Sequence, residues 1–475
     1  MQRRVVITGL GVVASNGIGK EQFWNACVAG HSGIRRITRF DASPLPSQIA
    51  GEIPDFDLEA LGLTSTEHLH LDRGAQLGIA AANLALQDAG LLFDTCTVGA
   101  DKSAVGTINR PLQAVEALYA DKSAVGAINR PLRDAMGVYM GAAMASIEEG
   151  EKLWVQATSR GTHLPCYPSD GFIPPTLLLT HIPAASIATH HQLHGPCMVI
   201  STGCSAGADA IGQAFWAIQE GRADYMLAGG TDSAITYAGI NVFCVLGAVS
   251  TRNDEPERAS RPYDRDRDGF VMAEGAGVVI LEDRALALAR GAHVYAEIIA
   301  FVSNSNAYHM TALPADGAPL QQLLRQALDE AHITSKQLDY INSHGSSTPA
   351  NEAAETVAYK AVFGEQAYHI PISATKSMIG HTQGAASAIE TIVTALALDR
   401  QIIPPTINQE HPDPQCDLDY VPNVARPSDV QVALTHSSGF GGVNTALVLA
   451  RADWIDSHPP GTRQGAPVHY LIPGT

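Results

Sequence analysis

Cys204 stands in VISTGCSAGADA (199–210), after an apolar run and inside a turn of Gly, Ser and Ala. A structural cysteine packs within an apolar run as a small hydrophobe. Small neighbours leave this one room to meet a reaction partner. It also opens the helical stretch SAGADAIGQAFWAIQEG (205–221), where orphan backbone N–H groups and the helix dipole favour a thiolate, so a lowered thiol pKa is expected. Two histidines supply partners: His344 in YINSHGSSTPANEAAET and His381 in ISATKSMIGHTQGAASAIE, each in a Gly- and Ser-flanked loop after a strand-like run. Any one of the 18 histidines is most simply an ordinary core or surface residue. Two in strand-loop-helix contexts beside a cysteine at a turn point to nucleophilic catalysis.

The elements that would position these groups are short β-rich runs, among them RRVVITGLGVV (3–13), CMVIST (197–202), DYMLAGG (224–230), AGVVILED (276–283), LDYINSHG (338–345) and TALVLAR (445–451). They alternate with Ala-rich helical stretches at 74–90, 205–221 and 382–400. Continuous apolar strands alternating with helices imply an α/β protein whose sheets are covered on both faces. Two glycine-rich segments are weaker signals. GLGVVASNG (9–17) has Ala14 where the third glycine of a dinucleotide fingerprint belongs, and DRDRDG (264–269) resembles a calcium loop whose bidentate Glu position is Gly275, with Glu274 one place early. An acidic turn or a salt-bridged loop is the better reading of the second. ADKSAVGTINRPLQAVEALY (100–119) is followed by ADKSAVGAINRPLRDAMGVY (120–139), a 20-residue tandem repeat. Two copies are too few for a solenoid, so a duplicated surface insertion is expected.

Length and charge bound the function. A chain of 475 residues with 45% hydrophobic and 16% charged residues can bury a large core. A formal charge of −18 argues against nucleic acid and against anionic membrane surfaces. An acidic partner would need a local basic patch; RRITR (35–39) and EPERASRPYDRDRD (255–268) are candidates, with solvated surface charge the plainer reading. The seven cysteines (27, 96, 166, 197, 204, 244 and 416) are scattered and never spaced C-x-x-C, so neither a disulfide framework nor a zinc site is indicated. The N-terminus runs directly into a strand-like segment and no apolar run reaches spanning length, so a soluble, cytoplasmic protein is expected.

Several motifs in order, STGCSAG, RPYDRDRDGFVMAEGAG, NAYHMT, HGSSTP, KSMIGHTQGAASAIE and GFGGVN, carry a resemblance that runs over nearly the whole chain. The chain resembles the β-ketoacyl synthases, the condensing enzymes of the thiolase superfamily. The resemblance implies a five-layered αβαβα fold of two pseudo-symmetric halves: 1–285 with the duplicated insertion at about 100–135, then 286–455, then a tail at 456–475. It implies that Cys204 takes an acyl chain as a thioester from the phosphopantetheine of an acyl carrier protein. The backbone N–H groups of Cys204 and Phe440 would form the oxyanion hole. His344 and His381 would hold the thioester carbonyl of a malonyl unit while CO2 leaves. Lys376 and Glu355 match the family's charged pair behind the histidines, with Glu390 in support; without the resemblance these would read as a surface salt-bridge cluster. Ser346 and Thr348 match pantetheine-contacting hydroxyls, Ser346 standing where the family usually has Thr. Phe440, flanked by Gly439 and Gly441, matches a gating aromatic. No metal and no intrinsic cofactor are implied.

A degradative thiolase would carry a second catalytic cysteine near the C-terminus, yet SSGFGGVNTA has none. A chain-length-factor subunit typically lacks the nucleophile that this chain keeps. VISTGCSAGADAIG and AAETVAYKAVFG look closest to ketosynthase-alpha subunits of type II polyketide synthases, which pair with a chain-length factor; HGSSTP and KSMIGH also suit the homodimeric fatty-acid elongating enzymes. Relatives meet their acidic carrier with several Lys or Arg where TSTEHLHLDRG (64–74) offers only Arg73 and two histidines. Carrier docking is therefore expected to be weak, pH-sensitive or located elsewhere. CMVIST is expected to pair with its counterpart across a dimer, hiding an open sheet edge. Cys204 should lie on the first half, His344 and His381 on the second, all within about 10 Å, because catalytic groups act at hydrogen-bond reach of a shared substrate.

Overall fold

Apolar runs without polar alternation fold as strands covered on both faces, and Val5–Ala14 (β1) is buried along its whole length. The computed structural model describes residues 3–54, 56–63, 71–91, 132–145, 147–148, 150–152, 155 and 179–458. The tandem repeat up to residue 131, the 64–70 part of the expected docking segment, and the tail beyond 458 lie outside the described residues.

In the first half β1 is joined by Met136–Gly141 (β2), Cys197–Ile200 (β3), Tyr225–Asp232 (β4) and Gly275–Asp283 (β5). The second half has Ala296–Ser305 (β6), Tyr340–Asn342 (β7), Ile372–Ser373 (β8), Val432–Ser438 (β9) and Val443–Ala450 (β10). They hydrogen-bond in the order β8-β7-β9-β10-β6-β1-β5-β4-β2-β3. Counted within each half, the order from the outer edge is third, second, fourth, fifth, first in both. The pairing senses repeat as well. β1–β5 and β5–β4 are antiparallel while β4–β2 and β2–β3 are parallel, and β6–β10, β10–β9, β9–β7 and β7–β8 follow the same sequence. This shared, unusual order is the pseudo-symmetry expected from the resemblance. Within the sheet the two halves join at a short antiparallel seam, Val5 to Ile7 of β1 against Ile298 to Ala296 of β6.

Two helices fill the space between the half-sheets, Ala206–Gln219 (α3) and Ala386–Arg400 (α6), and each touches strands of both halves and the other helix. Arg73–Ala89 (α1) and Ile182–His191 (α2) cover the first half-sheet, while Ala318–Ala331 (α4) and Asn351–Phe363 (α5) cover the second. The result is a thiolase-like five-layered αβαβα fold. Its core divides accordingly: a central cluster around Phe215, Ile389 and Leu447, and an outer cluster under each cover. The middle layer is close-packed through small residues. A Cβ on Gly207 of α3 would stand 2.8 Å from the Ala388 amide and 2.9 Å from the Gly384 carbonyl, so only glycine permits this approach.

Among the described residues, no helix is long and apolar enough to cross a membrane. Strand β3 ends the sheet with Cys197 and Met198 exposed. A groove beside it is lined by Met198, Ile200, Trp216 and Phe301.

Candidate active site

Cys204 and His344 sit where a strand gives way to a loop. β3 ends at Ile200, and a 3-10 turn over Gly203–Ser205 carries Cys204 into α3. Gly203 takes the left-handed conformation the turn requires (φ 66°). His344 follows β7 by two residues, and His381 follows a short helix, Lys376–Ile379, that comes after β8. The His381 backbone is clamped by residues of the first half: its N–H donates to Val271 O (2.7 Å) and its C=O accepts from Ala273 N (2.9 Å).

One cavity of about 320 Å³ gathers Cys204, His344, His381, Ser346, Thr348, Gly439 and Phe440 in its wall. The two imidazole centroids are 5.4 Å apart. Ser437 ties the nucleophile turn to His344, since its hydroxyl lies 3.1 Å from Cys204 O and 3.1 Å from His344 Nδ1, either of which can accept its proton. The nucleophile and the histidines thus come together from opposite halves, as expected.

Burial decides the protonation of the histidines. Both imidazoles are held well below their ordinary pKa, first by desolvation and then by the Lys376 charge, so both are neutral at pH 7. The tautomer follows from the partners. His381 Nδ1 accepts the Gln383 N–H (3.1 Å), which leaves the proton on Nε2. His344 Nδ1 faces the Lys376 ammonium at 3.4 Å, a group with protons and no lone pair, so there too the lone pair belongs on Nδ1 and the proton on Nε2. Two neutral N–H donors converge on one cavity, the arrangement that stabilises a developing oxyanion.

The nucleophile departs from expectation. Burial pushes the Cys204 thiol up to about 11, outweighing the Lys376 charge and the Phe440 N–H aimed at the sulfur. Cys204 lies in the 3-10 turn that leads into α3, and desolvation penalises the thiolate more than the helix end rewards it. The resting residue is a thiol.

The charged residues also sort differently. Lys376 pairs with Glu390, not Glu355, and its Nζ donates to His344 O at 2.7 Å. Glu355 instead accepts from Gly345 N (3.2 Å) and from the Tyr263 hydroxyl (2.5 Å), bracing the loop behind His344. None is on the surface: Lys376, Glu355 and Glu390 are all essentially inaccessible. Burial raises Glu390 to about 7 despite the adjacent ammonium. The Gly439 N–H donates to Val443 O and the Gly441 N–H to Met310 O, so neither is available to an oxyanion. Gly441 does not line the cavity, whereas Gly442 does. Ser346 and Thr348 hydroxyls lie 3.0 Å apart in the cavity wall.

Other lining residues carried no assignment from sequence: Phe270, Asn306, His309 and Gln383. NAYHMT marked two of them as part of a motif without showing that the loop folds over the site. Phe440 stacks on Phe243 (6.1 Å), Phe243 meets Phe270 edge-on (5.3 Å), and Phe270 meets His381 (5.2 Å). The aromatic beside the cysteine is thereby linked to His381 through two rings. The acidic stretch at 264–269 folds as a brace: the Asp264 carboxylate accepts the N–H groups of Asp266, Glu410 and His411.

Comparison with known proteins agrees with the geometry. Residues 2–109 and 111–287 match the model of the β-ketoacyl synthase N-terminal domain, and 295–410 that of the C-terminal domain. The chain belongs to the β-ketoacyl synthase family. It is 42% identical over 453 residues to the tetracenomycin polyketide synthase ketoacyl synthase alpha subunit of Streptomyces glaucescens, covering 95% of this chain and 97% of that one. It is 40% identical over 450 residues to 3-oxoacyl-[acyl-carrier-protein] synthase 2 of Coxiella burnetii, covering 95% and 99%. Among solved structures, a type II polyketide synthase acyl carrier protein in complex with its ketosynthase bound to the hexaketide superposes with a TM-score of 0.80 at 35% identity, covering 95% of this chain and all of that one. The ishigamide ketosynthase/chain length factor superposes equally well at 31% identity. As a β-ketoacyl synthase the chain is an acyltransferase that forms carbon–carbon bonds by decarboxylative Claisen condensation.

Proposed function

We propose that this chain is the catalytic ketosynthase subunit of a type II polyketide synthase, fed by an acyl carrier protein and paired with a chain-length-factor subunit in the cytoplasm. It needs no cofactor beyond the phosphopantetheine on the carrier. The convergence of Cys204, His344 and His381 on one cavity carries this reading, supported by the alpha-subunit relatives.

In the first half-reaction the Cys204 sulfur attacks the carrier thioester. The Sγ–acyl bond forms, the acyl–pantetheine bond breaks, and the thiol proton passes to the leaving sulfur, so a resting thiol suffices. The Cys204 and Phe440 N–H groups hold the tetrahedral oxyanion. Malonyl-carrier then enters, with Ser346 and Thr348 contacting its pantetheine. His344 and His381 donate from Nε2 to the malonyl thioester oxygen, the bond to the carboxylate breaks, and CO2 leaves. The resulting enolate carbon attacks the acyl carbonyl, and Cys204 departs, regaining a proton from solvent.

Two variants separate the half-roles. Cys204→Gln should abolish acyl loading and ketoacyl product while malonyl-carrier is still converted to acetyl-carrier. His344→Ala should keep acylation and lose decarboxylation by roughly 10²–10³, the usual cost of one oxyanion donor. Intact-protein mass spectrometry of enzyme and carrier reads both. A Gln variant that acylates, or an Ala variant that releases CO2 at the parent rate, overturns the roles. The same preparation tests the pathway: a homodimer that elongates saturated acyl-carrier unaided would assign the chain to fatty-acid elongation, as its Coxiella relative's name suggests for that protein.

A further inference from the structure

Gln383 lines the cavity that holds Cys204 and is only 3% exposed, yet its side-chain amide is unheld: among the described residues Nε2 has no hydrogen-bond partner and no donor reaches Oε1. The bond this residue makes to another side chain comes from its backbone N–H, which donates to His381 Nδ1. The other amides of the wall are placed differently. Asn306 is tied by its Oδ1, which accepts from Asn444 (2.7 Å), and Asn351 faces the Glu355 carboxylate. A buried amide without a partner destabilises the free protein, because its hydration is lost and nothing replaces it. The backbone adds to this, since Gln383 has φ 52°, in the left-handed region that favours glycine. A group kept inside a cavity against both preferences points to a ligand that offsets them.

Position says which ligand. The 3-10 turn Gln383–Ala385 packs directly on the turn Gly203–Ser205 that carries Cys204. An acyl chain on the sulfur therefore starts beside Gln383, while its thioester oxygen is turned to the Cys204 and Phe440 N–H groups. A saturated chain offers the amide nothing to bond. A β-ketoacyl chain, the product of each condensation, carries a carbonyl oxygen on C3, three bonds from Sγ once that chain is returned unreduced to Cys204.

From these observations we infer that Gln383 is a specificity-determining residue, whose side-chain amide donates to the C3 carbonyl oxygen of the acyl chain on Cys204 and so selects 3-oxoacyl over saturated chains. With neither end held, the amide is free to turn about χ3, a broad torsion, and present its N–H groups to that oxygen. A site that bonds a substrate oxygen disfavours the analogue lacking it, because the buried donor is then left unpaired. The inference rests on the condensation proposed above and narrows its acyl substrate to a β-keto chain.

The test compares acetoacetyl-pantetheine with butyryl-pantetheine, which differ by the C3 oxygen alone. With the enzyme in its native assembly, the second-order rate of Cys204 acylation, read by intact-protein mass spectrometry, should be about tenfold higher for the acetoacetyl donor (about 1.4 kcal/mol at 25 °C), within what one neutral hydrogen bond supplies. Gln383→Leu removes the donor but keeps the backbone N–H that His381 uses, and should bring the ratio of the two rates to about one or below. A Leu variant in which both rates fall together and the ratio survives would show Gln383 acting through His381 or the fold, and overturns the inference. A parent enzyme that takes both donors equally also overturns it, a result that requires no variant to fold. A parent acylated by neither thioester would overturn the condensation reading itself, and this inference with it.

Discussion

Replacing Lys376 by Met would remove the buried cation at the centre of the site. Its Nζ is enclosed by the Glu390 carboxylate, His344 O at 2.7 Å and His344 Nδ1 at 3.4 Å, and both ionic partners are out of solvent. Breaking a buried pair from one side costs about 3–5 kcal/mol because the other charge is stranded. The lower end applies here: burial has already raised Glu390 to about 7, so without the ammonium it takes up a proton at neutral pH instead of remaining charged. A loss of about 3 kcal/mol in urea denaturation is expected for Lys376→Met. Lys376→Met/Glu390→Leu, which replaces both members by apolar side chains, should return to within about 1 kcal/mol of the parent. Decarboxylation should not return with it. In both variants His344 loses the group that keeps its lone pair on Nδ1, and CO2 release from malonyl-pantetheine should fall roughly 10²-fold, as for a lost oxyanion donor. The reasoning fails if the double variant regains decarboxylation along with stability, since Lys376 would then act only as filling for a buried space.

Two further outcomes follow from the same geometry. With its folded pKa near 11, Cys204 gains thiolate as pH rises, so alkylation by iodoacetamide should climb about tenfold per pH unit through pH 9 to 10, beyond the point near 8.5 where an ordinary thiol levels off; a plateau at 8.5 refutes the burial argument. Gly207→Ala places a methyl against the backbone of α6 and should cost about 1–3 kcal/mol in thermal or urea denaturation, and an unchanged midpoint would show that the central helices can separate freely.

Sequence carried the chemistry better than its electrostatics. Cys204, His344 and His381 were legible because a nucleophile and its partners require small flanking residues and strand-to-loop transitions, both of which leave local signatures. The pairing of Lys376 was not legible, because Glu355 and Glu390 lie at plausible separations in the chain and only packing decides that one meets the ammonium while the other braces Gly345. The direction of the Cys204 shift was misread for a related reason: a helix start is visible in the chain, whereas desolvation depends on everything folded over it. Ser437, which links Cys204 O to His344 Nδ1, went unnoticed beside the conspicuous glycines of GFGG. The common strand order of the two halves had no local signature, since order within a sheet depends on distant pairing and not on any one segment.

The middle layer bears on how the site keeps its shape. At the closest approach of α3 to α6 and the turn before it, the contact is made by Gly207, Ala388, Gly384 and their backbones, residues whose side chains have no rotamers to lose on folding. Ordering this one crossing point therefore costs little side-chain entropy, and once formed it has few torsions through which to relax. Cys204 stands at the start of one of these helices and His381 just ahead of the other. Cys204 and His381 are accordingly both anchored next to a backbone-to-backbone contact, whose length is fixed by covalent and van der Waals radii and not by side-chain torsions.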